Sequence, residues 1–244
     1  MASTGSRSGA AARPLWVLSS LFGLATLGFV VWFTRNLPAE SCTGPLPTGV
    51  TTLGAYQMAR TPADIEAVFG PPGEPCRATM VAALDRANTA DLFGFIPTYG
   101  GFLAFFLLAM ARAGAGGVAR VGLVALVAGL GFDVLETTTQ LRLTHELPGS
   151  AAGLTALAIG SVGKFAALAI AAMCSGFAMI ARGGMAGRIA GLLCVAGSAL
   201  SAIGLAYASA RGLLGLGNAI AWVVILVYAI VAAVRSSRSE RSLA

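Results

Sequence analysis

Six stretches of this chain are almost wholly apolar, and short polar segments separate them. A helix needs about 20 apolar residues to cross the hydrocarbon core of a bilayer, which is about 30 Å thick. Each stretch meets that length, so the pattern predicts an all-α, polytopic membrane helical bundle with six transmembrane helices. The predicted spans are Pro14–Thr34, Leu92–Ala111, Val121–Leu141, Leu154–Ala181, Ile189–Ala210 and Leu213–Val234.

The segment between the first two spans, residues 35–90, is too polar to lie in lipid. Thr61 followed by Pro62, with Asp64 in the first turn, is typical of a helix start, and Gly70-Pro-Pro-Gly73 of a helix end. From Arg77 the apolar spacing predicts a helix that runs on into the second span. We therefore interpret residues 1–244 as a single integral-membrane domain with one extracytoplasmic loop at 35–90.

Composition and charge agree with a membrane location and argue against a nucleic-acid partner. The chain is 57% hydrophobic and 11% charged, whereas soluble domains carry roughly 25% charged residues. Its net charge of +6 comes from arginines divided between alternate loops, with more on the side of the termini. This distribution predicts a multi-pass protein of the bacterial inner (cytoplasmic) membrane, with the bilayer as its partner and both termini cytoplasmic.

Cys42 and Cys76 flank the predicted outer loop, on the side where a bacterial inner membrane faces an oxidising compartment. A disulfide between them is one interpretation, and two free thiols are the other. Cys174 and Cys194 fall inside predicted spans, where cysteine usually acts as a small core hydrophobe.

The ionisable residues inside the apolar stretches are the candidates for a functional site. A charge there costs about 2.5 to 3.5 kcal/mol on insertion scales, so such residues usually pair and often mark function. On the third span, acidic and polar residues share one helical stripe that ends at Gln140. Counting about 1.5 Å per residue from the arginine at each helix end brings the polar groups to one level near the outer face. These candidate ligand-binding residues are Asp91, Tyr99, Asp133, Glu136, Gln140, Lys164 and Asn218.

Two interpretations of this group of polar residues stay open. Either Lys164 pairs with Asp133 or Glu136 simply to tie two helices together, or the carboxylates and the lysine line a ligand site. Pro97, in the middle of the second span, predicts a kink that opens the bundle outward into a pocket.

Metal and cofactor sites are not predicted. His145 is the only histidine, so a His-rich zinc site is excluded, and no catalytic residues can be named. Gly160–Lys164 ends like a phosphate-binding loop but lacks the required earlier glycine and the following Ser or Thr.

A resemblance rests on these same residues. Asp91-Leu-Phe-Gly-Phe95 with Tyr99, then Asp133-Val-Leu-Glu136, then an isolated Lys164, resembles a group of small bacterial polytopic membrane proteins with an Asp-x-x-Phe-x-x-x-Tyr helix, an Asp-x-x-Glu-Asn helix and a lone lysine. The likeness covers about residues 50 to 170 and implies no established activity. This chain departs from that pattern at two points: Phe95 lies four residues after Asp91 rather than three, and Thr137 stands where the group usually has Asn.

Three functions follow as hypotheses. The first is binding or transport of a small amphipathic or cationic ligand at an outward-facing polar site. The second is a membrane enzyme that acts on a lipid or isoprenoid-like substrate with a carboxylate as general acid. The third is a structural or accessory subunit whose charges brace the bundle.

Overall fold

The structure, a computed structural model, describes the backbone of residues 4–241 and the side chains of residues 12–237. Within those residues the chain is helical, with one isolated β-bridge between Ser41 and Gly44. The helices are α1 (Thr4–Asn36), α2 (Thr52–Gln57), α3 (Pro62–Phe69), α4 (Arg77–Ala90), α5 (Ile96–Met110), α6 (Gly116–Leu143), α7 (Ala151–Ala181), α8 (Met185–Ala206) and α9 (Gly212–Arg241).

Five helical segments of the described chain are long and apolar enough to cross a membrane. The all-helical fold predicted from the sequence is thereby confirmed, and these segments are consistent with a membrane protein, but they number five where six spans were predicted. The difference arises in the second segment, which continues for 67 residues through α4, α5 and α6. The five segments are Ala12–Asn36, Arg77–Leu143, Ala151–Ala181, Met185–Ala206 and Gly212–Ser237.

The 67-residue segment is interrupted twice. A π-helical turn at Asp91–Phe95 precedes α5, where Pro97 lacks the N–H that a regular helix would use. The predicted break at this proline is therefore present, as a wider turn just before it. A second π-helical turn follows α5 and contains Gly114 at φ 103°, a conformation that favours glycine. Helix α6 then packs back against α5, with Leu130 against Gly100.

Small residues let α7, α8 and α9 approach closely. A Cβ on Gly197 of α8 would lie 2.7 Å from the Gly217 carbonyl oxygen of α9. Gly191 meets the backbone of Gly176 on α7 in the same way. Gly191 and Gly197 of α8 thus serve packing within the chain.

Helix α6 exposes apolar side chains on the outside of the bundle and buries its acidic side chains inside. Val124 and Val127 expose 72% and 68% of their surface on the outside of the bundle, whereas Asp133 and Glu136 expose 2% and 0%. An apolar exterior around a polar interior is the arrangement that a bilayer requires.

The 35–90 segment forms a small core of its own over one end of the bundle. Tyr56 and Phe69 meet edge to face with ring centroids 4.9 Å apart, and Leu84, Leu143 and Leu157 complete the contact with α4, α6 and α7. A disulfide joins Cys42 to Cys76 across the segment, with a Cα–Cα distance of 5.8 Å.

The predicted start and end of helix α3 are also confirmed. The Thr61 hydroxyl accepts from the Asp64 amide, and the Asp64 carboxylate accepts from the Thr61 amide, which forms a capping box with Pro62 in the first turn. Gly70 follows the helix at φ 73°.

Candidate functional site

The centre of the candidate site is an ammonium held between two carboxylates. Lys164 Nζ on α7 lies 3.0 Å from Asp133 Oδ1 and 2.8 Å from Glu136 Oε2, both on α6. All three side chains are buried. Their approach depends on Gly160, one turn earlier on α7, whose Cα faces the Glu136 backbone where a larger residue would collide.

Two further hydrogen bonds extend the cluster to the helices before α6. The Tyr99 hydroxyl donates to Asp133 Oδ2 at 2.5 Å. The Thr137 hydroxyl donates to Asp91 Oδ2 at 2.9 Å. Asp91 is the first residue of the π-helical turn, so the break in the helix lies at the polar cluster itself.

Several buried polar atoms near these pairs have no hydrogen-bond partner within the described part of the chain. They include Glu136 Oε1 and both side-chain amide atoms of Gln140 and Asn88. Asn88 lies between Asp85 and Asp91 in sequence. On α6, Gln140 lies between Thr144, which bonds to Asp85, and Thr137, which bonds to Asp91. The antiparallel register therefore places the two amides at the same level.

The 35–90 segment covers one end of the cluster. The Tyr56 hydroxyl donates to the Gln140 carbonyl at 2.7 Å, and Arg60 Nη2 donates to Ser161 Oγ at 3.0 Å. Burial raises the pKa of Tyr56, with a further increase from the Asp85 carboxylate. Burial also lowers the pKa of Arg60, as does neighbouring Arg211.

This cover differs from the outward-opening pocket that Pro97 suggested. The π-helical turn absorbs the missing hydrogen bond, and the cluster stays closed beneath Tyr56 and Arg60. Sequence reasoning missed both residues because each lies in the 35–90 segment, 84 and 101 residues along the chain from its partner. The only signal in the sequence was that Tyr56, which carries a polar hydroxyl, lies among apolar residues in the short helix α2.

Three aromatic rings form a group that contacts the carboxylates through Tyr99. The Tyr99 ring centroid lies 5.2 Å from that of Trp222 and 5.3 Å from that of Phe95. Phe95 and Trp222 are 6.1 Å apart, so the three rings form one group. Trp222 Nε1 is buried and has no hydrogen-bond acceptor among the described residues.

The structure brings together six of the seven predicted ligand-binding residues. Asp91, Tyr99, Asp133, Glu136, Gln140 and Lys164 share this region. Asn218 is the exception: it is half-buried on α9, one turn before Trp222, and makes no hydrogen bond or ion pair with the cluster in the described chain. Depth along a helix can be counted from sequence, whereas the contacts that a side chain makes depend on how the helices pack.

The balance between carboxylates and ammonium groups determines which species the cluster can bind. Three carboxylates face one ammonium, so their full ionisation leaves an excess of negative charge. Because buried like charges are costly, a cation or a proton is the species that this cluster favours. Within residues 12–237, no group of three or more His, Cys, Asp and Glu has an arrangement that could hold a metal ion.

Comparison with known proteins gives no further assignment. No protein-family profile, curated protein or solved structure matches this chain.

Proposed function

We propose that this integral membrane protein binds or transports a small cationic or amphipathic ligand at the Asp91–Asp133–Glu136 cluster. The observation that carries the proposal is the excess of buried carboxylates over the single ammonium of Lys164. An apolar environment magnifies the attraction between these carboxylates and a positive charge. A cationic ligand offsets the excess.

The aromatic group supports an organic cation as the ligand. Tyr99, which bonds to Asp133, forms one aromatic group with Phe95 and Trp222. Aromatic rings attract ammonium groups through their quadrupoles, and carboxylates add a full charge. A substituted ammonium with apolar groups combines both features.

The proposal includes a topology of six spans with both termini in the cytoplasm of a bacterial cell. A continuous straight helix of 67 residues would be about 100 Å long at about 1.5 Å per residue, far more than a bilayer requires. The turn at Gly114 supports two crossings by α5 and α6. The 35–90 segment then lies outside, where its disulfide is stable. The resemblance to small bacterial membrane proteins with the same polar residues fits this placement.

Ligand binding is tested with two probes of the same shape and opposite charge. The protein in nanodiscs is titrated with tetraphenylphosphonium and with tetraphenylborate, and bound probe is measured by equilibrium dialysis. Saturable binding of the cation alone is expected, with loss of binding in Asp133→Asn. Asp85→Asn is the matched control, because Asp85 lies on α4 and bonds to Thr144 away from Lys164. Absence of saturable binding for tetraphenylphosphonium and for tetramethylammonium contradicts the proposal.

Transport is tested by uptake of the same cation into proteoliposomes. Uptake that depends on Asp133 and tolerates Asp85→Asn supports transport. Binding without uptake restricts the function to binding.

A bracing role is the second candidate, and the ion pairs of Lys164 favour it. These pairs join α6 to α7 where the two helices approach closely around Gly160. If bracing is the whole function, neutral variants of the carboxylates change thermal stability and no probe binding depends on them.

A further inference from the structure

A second site lies at the opposite end of the bundle, where the N-terminal part of α1 meets α8 and α9. A cavity of about 940 Å³ opens there. Its lining includes Ala113 from the α5–α6 turn and Gly183 from the α7–α8 turn. These turns and the ends of α1 and α9 therefore share one face of the bundle, away from the 35–90 segment.

The packing of α8 explains why the cavity exists. Near its N-terminus α8 is held against α7, because Gly187 and Gly191 sit on the α7 backbone. Near its C-terminus it is held against α9, where Gly204 meets the backbone of Leu214. Toward its N-terminus, α8 therefore diverges from α9, and a wedge-shaped cavity opens between the two helices.

The wall of the wedge is apolar and continuous with the lipid-facing surface. Val223, Val227 and Val231 line it from α9, and Ile189 and Leu193 line it from α8. Val227 exposes 54% of its surface and Ile189 52%. Since these residues belong to candidate membrane spans, the groove has the surroundings of an acyl chain.

The mouth of the wedge is basic. Arg182 and Arg235 both line it, and no acidic residue is among the residues that line the cavity within the described chain. The Arg182 guanidinium lies 5.7 Å from the centroid of the Trp16 ring, which positions it at the rim. The N-terminus of α8 adds to the positive potential, because its first turn holds no acidic residue and Gly184 provides no side-chain cap.

We propose that this wedge binds one anionic phospholipid, with the phosphate between Arg182 and Arg235 and one acyl chain against the valines of α9. Charge complementarity identifies the headgroup, and the apolar groove identifies a lipid as the source of the phosphate. The site is separate from the carboxylate cluster and does not depend on the function proposed for it.

Lipid binding is tested by native mass spectrometry of the detergent-solubilised full chain. Phosphatidylglycerol and phosphatidylcholine with identical acyl chains are titrated in parallel. At roughly fivefold per arginine near a membrane surface, the two arginines predict about a 30-fold preference for phosphatidylglycerol. The double variant Arg182→Gln/Arg235→Gln should abolish the preference. The control Arg120→Gln/Arg188→Gln should keep it, since neither exposed arginine lines the cavity.

A second variant tests the groove without altering charge. Val227→Trp fills the acyl-chain wall and should reduce phosphatidylglycerol binding while both arginines remain. It also keeps the proposal testable if the double arginine variant does not fold. Glycerol phosphate is the competitor that separates a lipid from a soluble anion. Equal binding of the two lipids, a preference that survives both variants, or competition by millimolar glycerol phosphate overturns the proposal.

Discussion

Gly160 on α7 lies so close to Glu136 on α6 that a Cβ at position 160 would be 2.8 Å from the Glu136 amide nitrogen. The atom it would meet is backbone, which cannot rotate away as a side chain can. The absence of a side chain at position 160 is therefore what lets α7 bring Lys164 to both carboxylates of α6.

Gly160→Ala should destabilise the protein by about 1–3 kcal/mol, the usual cost of overpacking. Gly131→Ala is the matched control, because a Cβ there meets no atom within 4 Å. An alanine at an open helical position usually stabilises by about 0.4–1 kcal/mol. Thermal unfolding of both variants in nanodiscs measures the difference. Equal melting temperatures would show that α6 and α7 are not held at this distance.

The sequence predicts how deep each site residue lies along its helix, whereas the contacts between helices depend on tertiary packing. Helical spacing placed Asp133, Glu136 and Gln140 on one stripe, and counted depth placed Lys164 beside them. The same count placed Asn218 at that level, but in the described chain Asn218 makes no hydrogen bond or ion pair with the cluster. Helix rotation depends on contacts between helices, which no local pattern records.

The cover over the site illustrates the same limit. The capping box at Thr61 was readable because all of its atoms come from neighbouring residues. The bonds from Tyr56 to Gln140 and from Arg60 to Ser161 span 84 and 101 residues. Contacts of that separation follow from tertiary packing, so a site that seemed open in sequence is closed in the structure.

Lys164→Met should be strongly destabilising because it leaves Asp133 and Glu136 buried together without their partner. Breaking a buried pair by removing one member typically costs about 3–5 kcal/mol. Adding Glu136→Gln should restore part of that loss, since it removes one of the two stranded charges. A double-mutant cycle in thermal stability tests this. Additive effects of the two substitutions would show that the ion pair contributes nothing.

Tyr99→Phe should cost about 1.5–3 kcal/mol, because Asp133 Oδ2 then loses a hydrogen bond to a charged group. The ring and its contact with Trp222 remain in this variant. Tyr207→Phe is the control, since Tyr207 exposes 62% of its surface. Chemical unfolding in mixed micelles measures both. A loss in Tyr99→Phe no larger than in the control would contradict a structural role for this hydroxyl.

Removal of the disulfide should loosen the cover while the bundle stays folded. The bridge closes a loop with a sequence separation of 34 residues, and a disulfide typically stabilises by about 2–4 kcal/mol. In Cys42→Ser/Cys76→Ser we expect faster hydrogen exchange in residues 37–76 and little change in α8 and α9. Reductant should have the same effect on the wild type and none on the variant. Uniform exchange changes across all helices would contradict an independent cover.

Acid should loosen the cover through Asp64. Burial raises the pKa of this carboxyl, but hydrogen bonds from the Arg60 amide and from Thr61 outweigh burial, and the net pKa is lowered. A carboxyl with a lowered pKa contributes stability above its unfolded value, about 3.9. That contribution disappears as the pH falls through the lower, folded value. Hydrogen exchange in α3, corrected for its intrinsic pH dependence, should therefore rise on acidification.

Asp64→Asn tests the origin of this pH dependence. The variant lacks the titrating carboxyl, so its exchange in α3 should already be faster near pH 6 and should change less on acidification. Glu66→Gln is the matched control on the same helix, because the Glu66 carboxylate takes no part in the capping box. The Arg60 amide is tied to Asp64, so loss of the cap should also release the arginine that reaches Ser161. An unchanged acid response in Asp64→Asn would assign the pH dependence to a different group.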